Sequence, residues 1–292
     1  MFSLLMMLWC GGQIANAQEE PITVPTIFAI GDLHADLSAA RSTLRLAGVI
    51  DANDHWIAKD IHVVQTGDIT DRGPDGLQIL EWFKRLEIES NGQLTILLGN
   101  HETMNLMGDW RYVSTDDLES FGGKNNRILA FQPDGVWRNW LMQHPVTIKI
   151  GETVFVHGGI HPNFAKLGVD GINEETQKAI RSGQYQHDIL GSNGPLWFRD
   201  YILAPEESAC PLLEKSLKIL DVKRMVVGHT TQRNGQILSR CNHKIIVIDT
   251  GISAHYGGNT AFLKIEESRI TAYYSNTSEV ITENQAQKAN SP

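Results

Sequence analysis

The feature that most constrains the fold of this chain is a series of short apolar runs that are rich in β-branched residues. Apolar and polar residues do not alternate within them, which is typical of strands buried on both faces of a sheet. The runs are residues 26–30, 61–65, 94–98, 153–156, 224–227 and 245–248. Residues 35–47 and 74–88 lie between the first three runs and have the apolar spacing of helices. This order predicts an α/β fold, a sandwich of mixed central β-sheets flanked by helices.

A polar residue of a kind that binds ligands follows each of the first five runs. These residues are Asp32 and His34, Asp68 and Asp71, Asn100 and His101, His157, and His229. Ligands of α/β proteins bind at the carboxyl ends of strands, so we expect these side chains to converge on one crevice. A lone His or Gly-Asp pair is more often structural. Five such endings favour a shared site, because buried carboxylates and imidazoles are unfavourable without a cation.

The spacing of these residues indicates a centre with two metal ions. Asp32 and Asp68 are 36 residues apart, and Asp68 and Asn100 are 32 apart, about one strand-helix-strand unit each. Adjacent strands lie about 4.8 Å apart, which suits two ions about 3.5–4 Å apart that share one carboxylate. The predicted ligands are Asp32 and His34 for one ion, Asn100, His157 and His229 for the other, and Asp68 as the bridge. Imidazole and carboxylate ligands without cysteine favour Mn, Fe, Zn, Co or Ni over calcium.

Composition and missing motifs exclude several other functions. The chain has 25 Lys and Arg against 34 Asp and Glu, a net charge of −9, which argues against a nucleic-acid duplex as partner. No dinucleotide fingerprint follows the first run, and Gly123-Lys124 lacks the surrounding pattern of a phosphate-binding loop. No Gly-x-Ser-x-Gly motif occurs, and neither Cys210 nor Cys241 lies in an arginine-containing phosphate cradle. A covalent catalytic route is therefore not predicted.

The N-terminus has the pattern of a secretory signal peptide. The apolar run at residues 2–9 is shorter than the roughly 20 residues that a membrane-spanning helix needs. It is followed by Ala15-Asn16-Ala17, so we expect a signal peptide at residues 1–17, cleavage after Ala17, and a secreted or periplasmic protein. The run has no preceding Lys or Arg, which leaves an overlong start or a buried N-terminal helix as the alternatives. Lipid attachment at Cys10 is disfavoured by the bulky Trp9.

Two cysteines, Cys210 and Cys241, remain after this cleavage. In an oxidising compartment they can form a disulfide bond, and the alternative is a pair of buried free thiols. The sequence does not decide between these two states, and it does not predict an oligomeric state.

The polar motifs resemble those of the phosphoprotein phosphatase type of dinuclear metallophosphoesterases, in the same order and at similar spacing. The matching segments are residues 31–34, 67–73, 99–102, 157–159 and 228–229. Residues 104–109, 194–199 and 249–253 are more similar to the bacterial Shewanella-like branch. Ala35 stands where the first motif usually has a second Gly, Leu98 where eukaryotic members often have Arg, and Asp200 where Gly is common.

The resemblance implies a domain organisation and a chemistry. The catalytic domain would span residues 26–275, after a polar lead-in at 18–25 and before a flexible C-terminal tail at 276–292. Two divalent ions, most favourably Mn, Fe or Zn, would provide a bridging hydroxide that hydrolyses phosphate monoesters directly. Arg72 and Arg199 would bind the phosphoryl oxygens and Asn100 would add a donor. His101, oriented by Asp71, would protonate the leaving oxygen.

Three functions remain open at this stage. The first is a phosphatase acting on phosphorylated Ser, Thr or Tyr of a protein or peptide, or on a small phosphomonoester. The second is a nucleotide-directed phosphohydrolase for dinucleoside polyphosphates or cyclic phosphodiesters, and Glu102 favours the first over it. The third is a metal-dependent binding module without turnover, which the complete ligand set opposes. The aromatic-rich stretch at 109–144 either shapes the substrate pocket or forms a helical wrap that buries its own rings.

Overall fold

The computed structural model of the protein describes residues 25–267 and 269–283. The predicted signal peptide at residues 1–17 and its cleavage site lie outside the described residues. So do most of the polar lead-in and the last part of the predicted tail.

Two β-sheets form the centre of the described part of the chain. The six-stranded sheet has the order β11-β10-β9-β1-β2-β3, and the five-stranded sheet has the order β4-β5-β6-β8-β7. Their strands are β1 (Thr26–Ile30), β2 (Ile61–Gln65), β3 (Leu94–Ile96), β4 (Thr147–Ile150), β5 (Thr153–Val156), β6 (Arg224–Val227), β7 (Leu238–Arg240), β8 (Ile245–Val247), β9 (Ala261–Ile265), β10 (Arg269–Tyr274) and β11 (Ser278–Glu283). Strands β1, β2 and β3 run parallel, as do β5, β6 and β8, and the outer strands are antiparallel.

Helices lie along the connections between these strands. They are α1 (Leu37–Leu46), α2 (Gly76–Glu89), α3 (Asn100–Leu106), α4 (Thr115–Ser120), α5 (Lys124–Phe131), α6 (Val136–Leu141), α7 (Pro162–Ala165), α8 (Gly168–Arg181), α9 (Asp200–Leu203) and α10 (Glu206–Leu220). Both helices expected from apolar spacing are present, with α1 beginning two residues later than predicted because Asp36 caps it by accepting the Ala39 N–H. Among the described residues, no helix is long and apolar enough to cross a membrane.

The packing of the strands explains why their apolar runs do not alternate. One face of β1 contributes Ile27 and Ala29 to a core cluster that also holds Phe155 and Val226 of the other sheet. The opposite face contributes Ile30 to the larger cluster, which the helices cover. Strands buried on both faces are apolar at every position. The predicted α/β sandwich with mixed central sheets is confirmed.

The edge of the six-stranded sheet differs from the prediction. A flexible tail was expected from residue 276, but Ser278–Glu283 pairs with β10 as the antiparallel strand β11. Its side chains are exposed or half-buried, so its polar composition is that of an edge strand facing water. The expectation of a tail is therefore wrong for these residues, because backbone pairing, which composition does not reveal, holds them.

The two cysteines that the sequence left open form a disulfide bond. Cys210 on α10 is bonded to Cys241, which follows β7, with 5.3 Å between the Cα atoms. The bond joins segments that are 31 residues apart in sequence. It therefore ties a surface helix to the end of the five-stranded sheet.

We expect the double variant Cys210→Ser/Cys241→Ser to be less stable than the wild type by about 3 kcal/mol. A crosslink that closes a loop of this length restricts the unfolded chain, and the loss corresponds to a melting temperature lower by roughly 5–10 °C. Thermal unfolding followed by circular dichroism measures it. Reductant should lower the melting temperature of the wild type towards that of the variant and leave the variant unchanged. Equal melting temperatures for both proteins without reductant would contradict a stabilising bond.

Candidate metal centre and active site

Most of the polar residues predicted from the strand endings line one cavity. Asp32 and His34 follow β1, Asp68 follows β2, and His229 follows β6, while Asn100 and His101 begin α3 directly after β3. All six are at least 95% buried. The cavity has a volume of about 160 Å³ and is lined by these residues together with Arg72, Tyr112, Trp197, Arg199, Thr231 and Tyr256. His157 and Asp71 do not line it, but each contacts a residue that does.

The backbone at this cavity is unusual. His34, Asp68 and His229 have positive φ angles of 47°, 55° and 64°, a region that costs L-residues energy and that clusters at functional sites. Ala35, which replaces the usual second Gly of the first motif, also has a positive φ of 53°. The departure from the family pattern thus leaves the turn in place and adds strain to it.

Asp68 lies between two groups of imidazoles. One group is His34, Asp68 and His101, and the other is Asp68, His157 and His229, with the potential ligand atoms of each group within 4.8 Å of one another. The Asp68 Oδ2 atom is 3.3 Å from His157 Nε2 and 3.8 Å from His34 Nε2. One carboxylate shared by two groups is the arrangement expected of a bridging ligand. The His and Asp residues are therefore compatible with a dinuclear site for divalent metal ions.

Hydrogen bonds show which imidazole nitrogens are available as ligands. His157 Nδ1 lies 2.9 Å from the Thr66 carbonyl oxygen, and His34 Nδ1 lies 3.4 Å from that of Thr70. A carbonyl only accepts, so each Nδ1 carries a proton, and Nε2 is the nitrogen left to serve as a metal ligand. His157 Nε2 then faces the Asn100 Oδ1 acceptor at 2.9 Å. These two atoms are therefore close enough to bind the same cation.

Buried atoms without partners support the same conclusion. Among the described residues, His229 Nε2 and Asp249 Oδ2 are fully buried and form no hydrogen bond. Burial lowers the pKa of His34 to about 3 and, with His157 and Arg199, holds that of His229 well below its usual range. Both rings are therefore neutral and able to donate a lone pair. These carboxylate oxygens and imidazole nitrogens are ligands that suit divalent metal ions.

The two carboxylates of the site differ in their charge preference. Burial raises the pKa of Asp32 well above its usual range, and the nearby Asp249 and Asp68 raise it further. Burial acts in the same direction on Asp68, but the attraction of His157 and His101 outweighs it and holds its pKa well below the usual range. A cation near Asp32 would relieve the repulsion among the acidic groups. Asp32 accepts the His229 N–H at 3.1 Å and lies 3.8 Å from His34 Nε2.

Glu102 holds the loops that carry the ligands. Its carboxylate, which is fully buried, accepts the N–H groups of Asp68, Thr70 and Gly99 at 2.8–3.0 Å. It therefore joins the end of β2 to the start of α3 and fixes the position of Asp68. This contact gives a structural reason for the Glu that follows Asn100-His101.

His101 and Asp71 form a hydrogen-bonded pair beside the metal ligands. His101 Nδ1 is 3.0 Å from Asp71 Oδ2, and His101 Nε2 is 3.7 Å from Asp68 Oδ2. Burial opposes the charged form of the imidazole, but the attraction of Asp68 and the hydrogen bond to Asp71 outweigh it and raise the pKa of His101. A buried imidazole that keeps its proton is suited to act as a general acid.

Two arginines flank the cavity. The Arg72 guanidinium lies 3.9 Å from the centre of the Tyr112 ring, and its Nε is buried without a hydrogen bond to any described residue. Arg199 donates from one terminal nitrogen to the His229 carbonyl at 2.6 Å and to Thr230 Oγ1 at 3.2 Å. Both guanidinium groups therefore border the cavity with donors that can contact an anion.

Sequence reasoning missed several residues of this site. Asp249 follows β8, so the strand-end signal that identified the other ligands could have identified it. The rings of Tyr112, Trp197 and Tyr256 also line the cavity. Tyr112 and Trp197 lie in segments that the sequence singled out, but the sequence did not identify any of the three rings individually. The stretch at 109–144 has both features proposed for it. Its helices α4, α5 and α6 bury Phe121, Phe131, Trp137 and Trp140, while Tyr112 reaches the cavity.

Two glycines allow the carboxylates to approach the strand ends. A Cβ atom on Gly99 would lie 2.1 Å from Asp68 Oδ1, and one on Gly228 would lie 2.3 Å from Asp32 Oδ1. Neither distance is possible without moving the carboxylate, so a side chain at either position would displace a candidate ligand.

We therefore expect Gly228→Ala to weaken metal binding by about tenfold or more, because the added Cβ would lie 2.3 Å from Asp32 Oδ1 and push this carboxylate out of its position. Isothermal titration of the metal-free protein with Mn²⁺ measures the affinity. Gly171→Ala within α8 is the matched control, since its Cβ would lie 3.1 Å from Leu167 Cβ and no ligand is nearby. Equal affinity in Gly228→Ala and wild type would show that Asp32 does not hold an ion.

Comparisons with known proteins identify the relatives of this chain. The profile described as calcineurin-like phosphoesterase matches residues 25–233. Shewanella-like protein phosphatase 1 of Plasmodium berghei is 34% identical over 265 residues, which cover 84% of this chain and 73% of that protein. Shewanella-like protein phosphatase 2 of Arabidopsis thaliana is 33% identical over 282 residues, covering 78% and 71%. The solved structure of a cold-active protein tyrosine phosphatase from a psychrophilic Shewanella species superposes with a TM-score of 0.78 and 26% identity, covering 89% and 81%.

Proposed function

We propose that this chain, which belongs to the calcineurin-like phosphoesterase family, is a metal-dependent phosphatase that hydrolyses phosphomonoesters on proteins. Relatives of 33–34% identity are named as protein phosphatases of the Shewanella-like branch, to which the sequence motifs are also similar. The nucleotide-directed alternative is less favoured for the same reason. The complete donor set and both arginines argue against a binding module without turnover.

One observation carries the proposal. Asp68 is shared by two groups of buried imidazoles, and Arg72 and Arg199 border the same cavity. A site with these features can hold two divalent ions and an anion at once. Hydrolysis of a phosphomonoester requires a group that activates water, which the ions can provide, and groups that bind the phosphoryl oxygens, which the arginines can provide.

The residues that would hold the ions are Asp32, His34, Asp68, Asn100, His157 and His229. Divalent ions bound there would supply Lewis acidity, which lowers the pKa of water to about 7 and offsets the charge of the phosphate. We propose Mn, Fe or Zn, because each accepts mixed imidazole and carboxylate ligands. The protein itself fixes the ligand geometry through Glu102 and through the carbonyls that orient His34 and His157.

The remaining residues act on the substrate. Arg72 and Arg199 bind the phosphoryl oxygens, and Asn100 adds an amide donor where it is not occupied as a ligand. His101 donates its Nε2 proton to the leaving oxygen while Asp71 holds Nδ1. Tyr112, Trp197 and Tyr256 at the cavity favour a flat aromatic leaving group, so among phosphorylated Ser, Thr and Tyr we propose phosphotyrosine as the best substrate.

The experiment that tests this function uses the protein from residue 18, stripped of metal and titrated with Mn²⁺, Fe²⁺, Zn²⁺ or Mg²⁺. Hydrolysis of para-nitrophenyl phosphate is compared with that of phosphopeptides, diadenosine tetraphosphate and bis-para-nitrophenyl phosphate. Metal-dependent turnover of phosphopeptides at least about tenfold above that of the nucleotide supports the proposal. Preference for the nucleotide or the diester would overturn it in favour of the nucleotide-directed alternative.

We also propose that the protein is exported, with cleavage after Ala17. The Cys210–Cys241 disulfide supports this, since such bonds persist in oxidising compartments. Mass spectrometry of the protein recovered from its native compartment tests the site, and an N-terminus at Gln18 is the expected result. Recovery of a protein that begins at Met1 from the cytoplasm would contradict export.

A further inference from the structure

A fully buried arginine lies behind the His101–Asp71 pair, on the side away from the cavity. Arg127 of α5 has no exposed surface and belongs to the aromatic-rich stretch at 109–144. Its guanidinium donates to Asp71 Oδ1 at 2.9 Å and to Asp117 Oδ2 at 3.0 Å. An arginine without access to water is unfavourable unless its charge is paired, and here two carboxylates pair it.

The same guanidinium also holds the amide that contacts Asp71. Arg127 donates to Asn105 Oδ1 at 2.6 Å, which leaves the Asn105 amide nitrogen to donate to Asp71 Oδ1 at 2.9 Å and to Oδ2 at 3.0 Å. Asn105 also donates to the His101 carbonyl at 2.8 Å. Arg127 therefore acts on Asp71 directly and through Asn105, and these contacts leave Asp71 Oδ2 directed at His101 Nδ1.

The surroundings make this charge effective. The Arg127 guanidinium lies 4.7 Å from the centre of the Phe131 ring and 5.4 Å from that of Phe121, so aromatic rings exclude water from it. Charges interact more strongly where water is excluded. Asp71 itself has a positive φ of 69°, a conformation that surrounding contacts must hold.

The stretch at 109–144 also contacts the other side of the pair. The Tyr112 ring stacks on the His101 ring with 5.0 Å between centres, and the Tyr112 carbonyl accepts the Arg72 N–H at 3.1 Å. His101 and Asp71 are thus enclosed by one segment, with Tyr112 at the cavity and Arg127 behind.

We propose that Arg127 is a positioning residue for the general acid: it fixes Asp71 so that the His101 Nε2 proton points at the leaving oxygen. This inference rests on the proposed function. It assigns to the 109–144 stretch a role in catalysis beyond burying its own rings. Arg127 would influence only the step in which His101 takes part, since it contacts neither the phosphoryl site nor the metal ligands.

The dependence on the leaving group separates this role from a structural one. We expect Arg127→Met to lower kcat/KM for phosphoserine, whose alkoxide is a poor leaving group, by about 30-fold. The loss for para-nitrophenyl phosphate, whose leaving group needs no proton, should be less than about threefold, and the metal content should not change. Equal losses for both substrates would overturn the proposal, because a merely structural arginine affects both alike.

Arg138→Met is the matched control. Arg138 lies in the same stretch and donates to the Leu106 carbonyl of α3, but it does not contact Asp71. The control should lose stability without changing the ratio of the two substrates. A change of that ratio as large as in Arg127→Met would also overturn the proposal.

A double-mutant cycle with His101→Asn gives the second measurement. If Arg127 acts through His101, then Arg127→Met added to His101→Asn should lower phosphoserine turnover by less than about twofold further. Fully additive losses would overturn the inference.

Arg127→Lys keeps the charge with fewer donors, so it replaces Arg127→Met in these measurements if Arg127→Met does not fold. A smaller loss with the same substrate dependence is expected. A wild type that hydrolyses neither substrate would overturn the proposed function itself, whereas an active wild type with substrate-independent losses overturns only the role of Arg127.

Discussion

Asp68→Asn is expected to abolish the binding of at least one divalent ion and to lower phosphatase turnover by about 10³-fold or more. Asp68 is the carboxylate that two imidazole groups share, and the nearby histidines hold it in its charged form. An amide of the same shape has no charge to attract the ions. Metal-derived stabilisation of several kcal/mol corresponds to a rate factor of about this size.

Metal analysis by mass spectrometry after dialysis, together with para-nitrophenyl phosphate turnover, measures both effects. Asp71→Asn is the matched control, because it makes the same change three residues away in a carboxylate outside both imidazole groups. The control should retain its metal and lose mainly the turnover of poor leaving groups. An Asp68→Asn protein that retains two ions per chain would show that Asp68 is not the bridge.

The strands that carry the ligands could be predicted because their physical requirements are local. A strand buried on both faces needs consecutive β-branched or apolar residues, as in Val63-Val64. The turn after it needs Gly where the chain meets a carboxylate, as at Gly228. Both requirements are visible in the sequence, as an apolar run and as a Gly after it. The ends of the strands and the polar residues that follow them could therefore be predicted together.

The outer strands could not be predicted in the same way. Strand β9 lies beside β1 although more than 200 residues separate them, and within residues 25–267 and 269–283 β11 pairs only with β10. The number of apolar residues in an outer strand depends on the strands and helices that pack against it. These neighbours depend on the topology of the whole domain. The polar β11 in particular is held by backbone hydrogen bonds, to which its side chains contribute little.

The walls of the cavity depend on tertiary contacts of the same kind. Tyr112 reaches His101 from the segment before α4, which packs beside α2, and Tyr256 reaches His34 from the segment after β8. No local pattern distinguishes these tyrosines from surface ones. The burial of Arg127 could not be predicted either, since an arginine is expected on the surface unless the structure shows carboxylates that pair its charge.

His101 has two possible roles that the geometry brings into contact. It belongs to a group with His34 and Asp68 that can hold an ion, and it is also bonded through Nδ1 to Asp71. The stacking of Tyr112 and the hydrogen bond to Asp71 orient the ring, and they are the contacts that a general acid requires. His229 Nε2, by comparison, has no hydrogen-bond partner among the described residues, as expected for a ligand.

We therefore expect His101→Asn to lower phosphoserine turnover by about 10²–10⁴-fold, with a much smaller loss for para-nitrophenyl phosphate and unchanged metal content. Steady-state kinetics over phosphate esters of graded leaving-group acidity measures the first effect, and metal analysis measures the second. His144→Asn is the matched control, since His144 is equally buried but bonds to the Trp140 carbonyl and Glu87 away from the cavity. Its loss should not depend on the leaving group. Loss of an ion from His101→Asn, with equal decreases for all esters, would instead make His101 a metal ligand, and the proton would then have to come from another group.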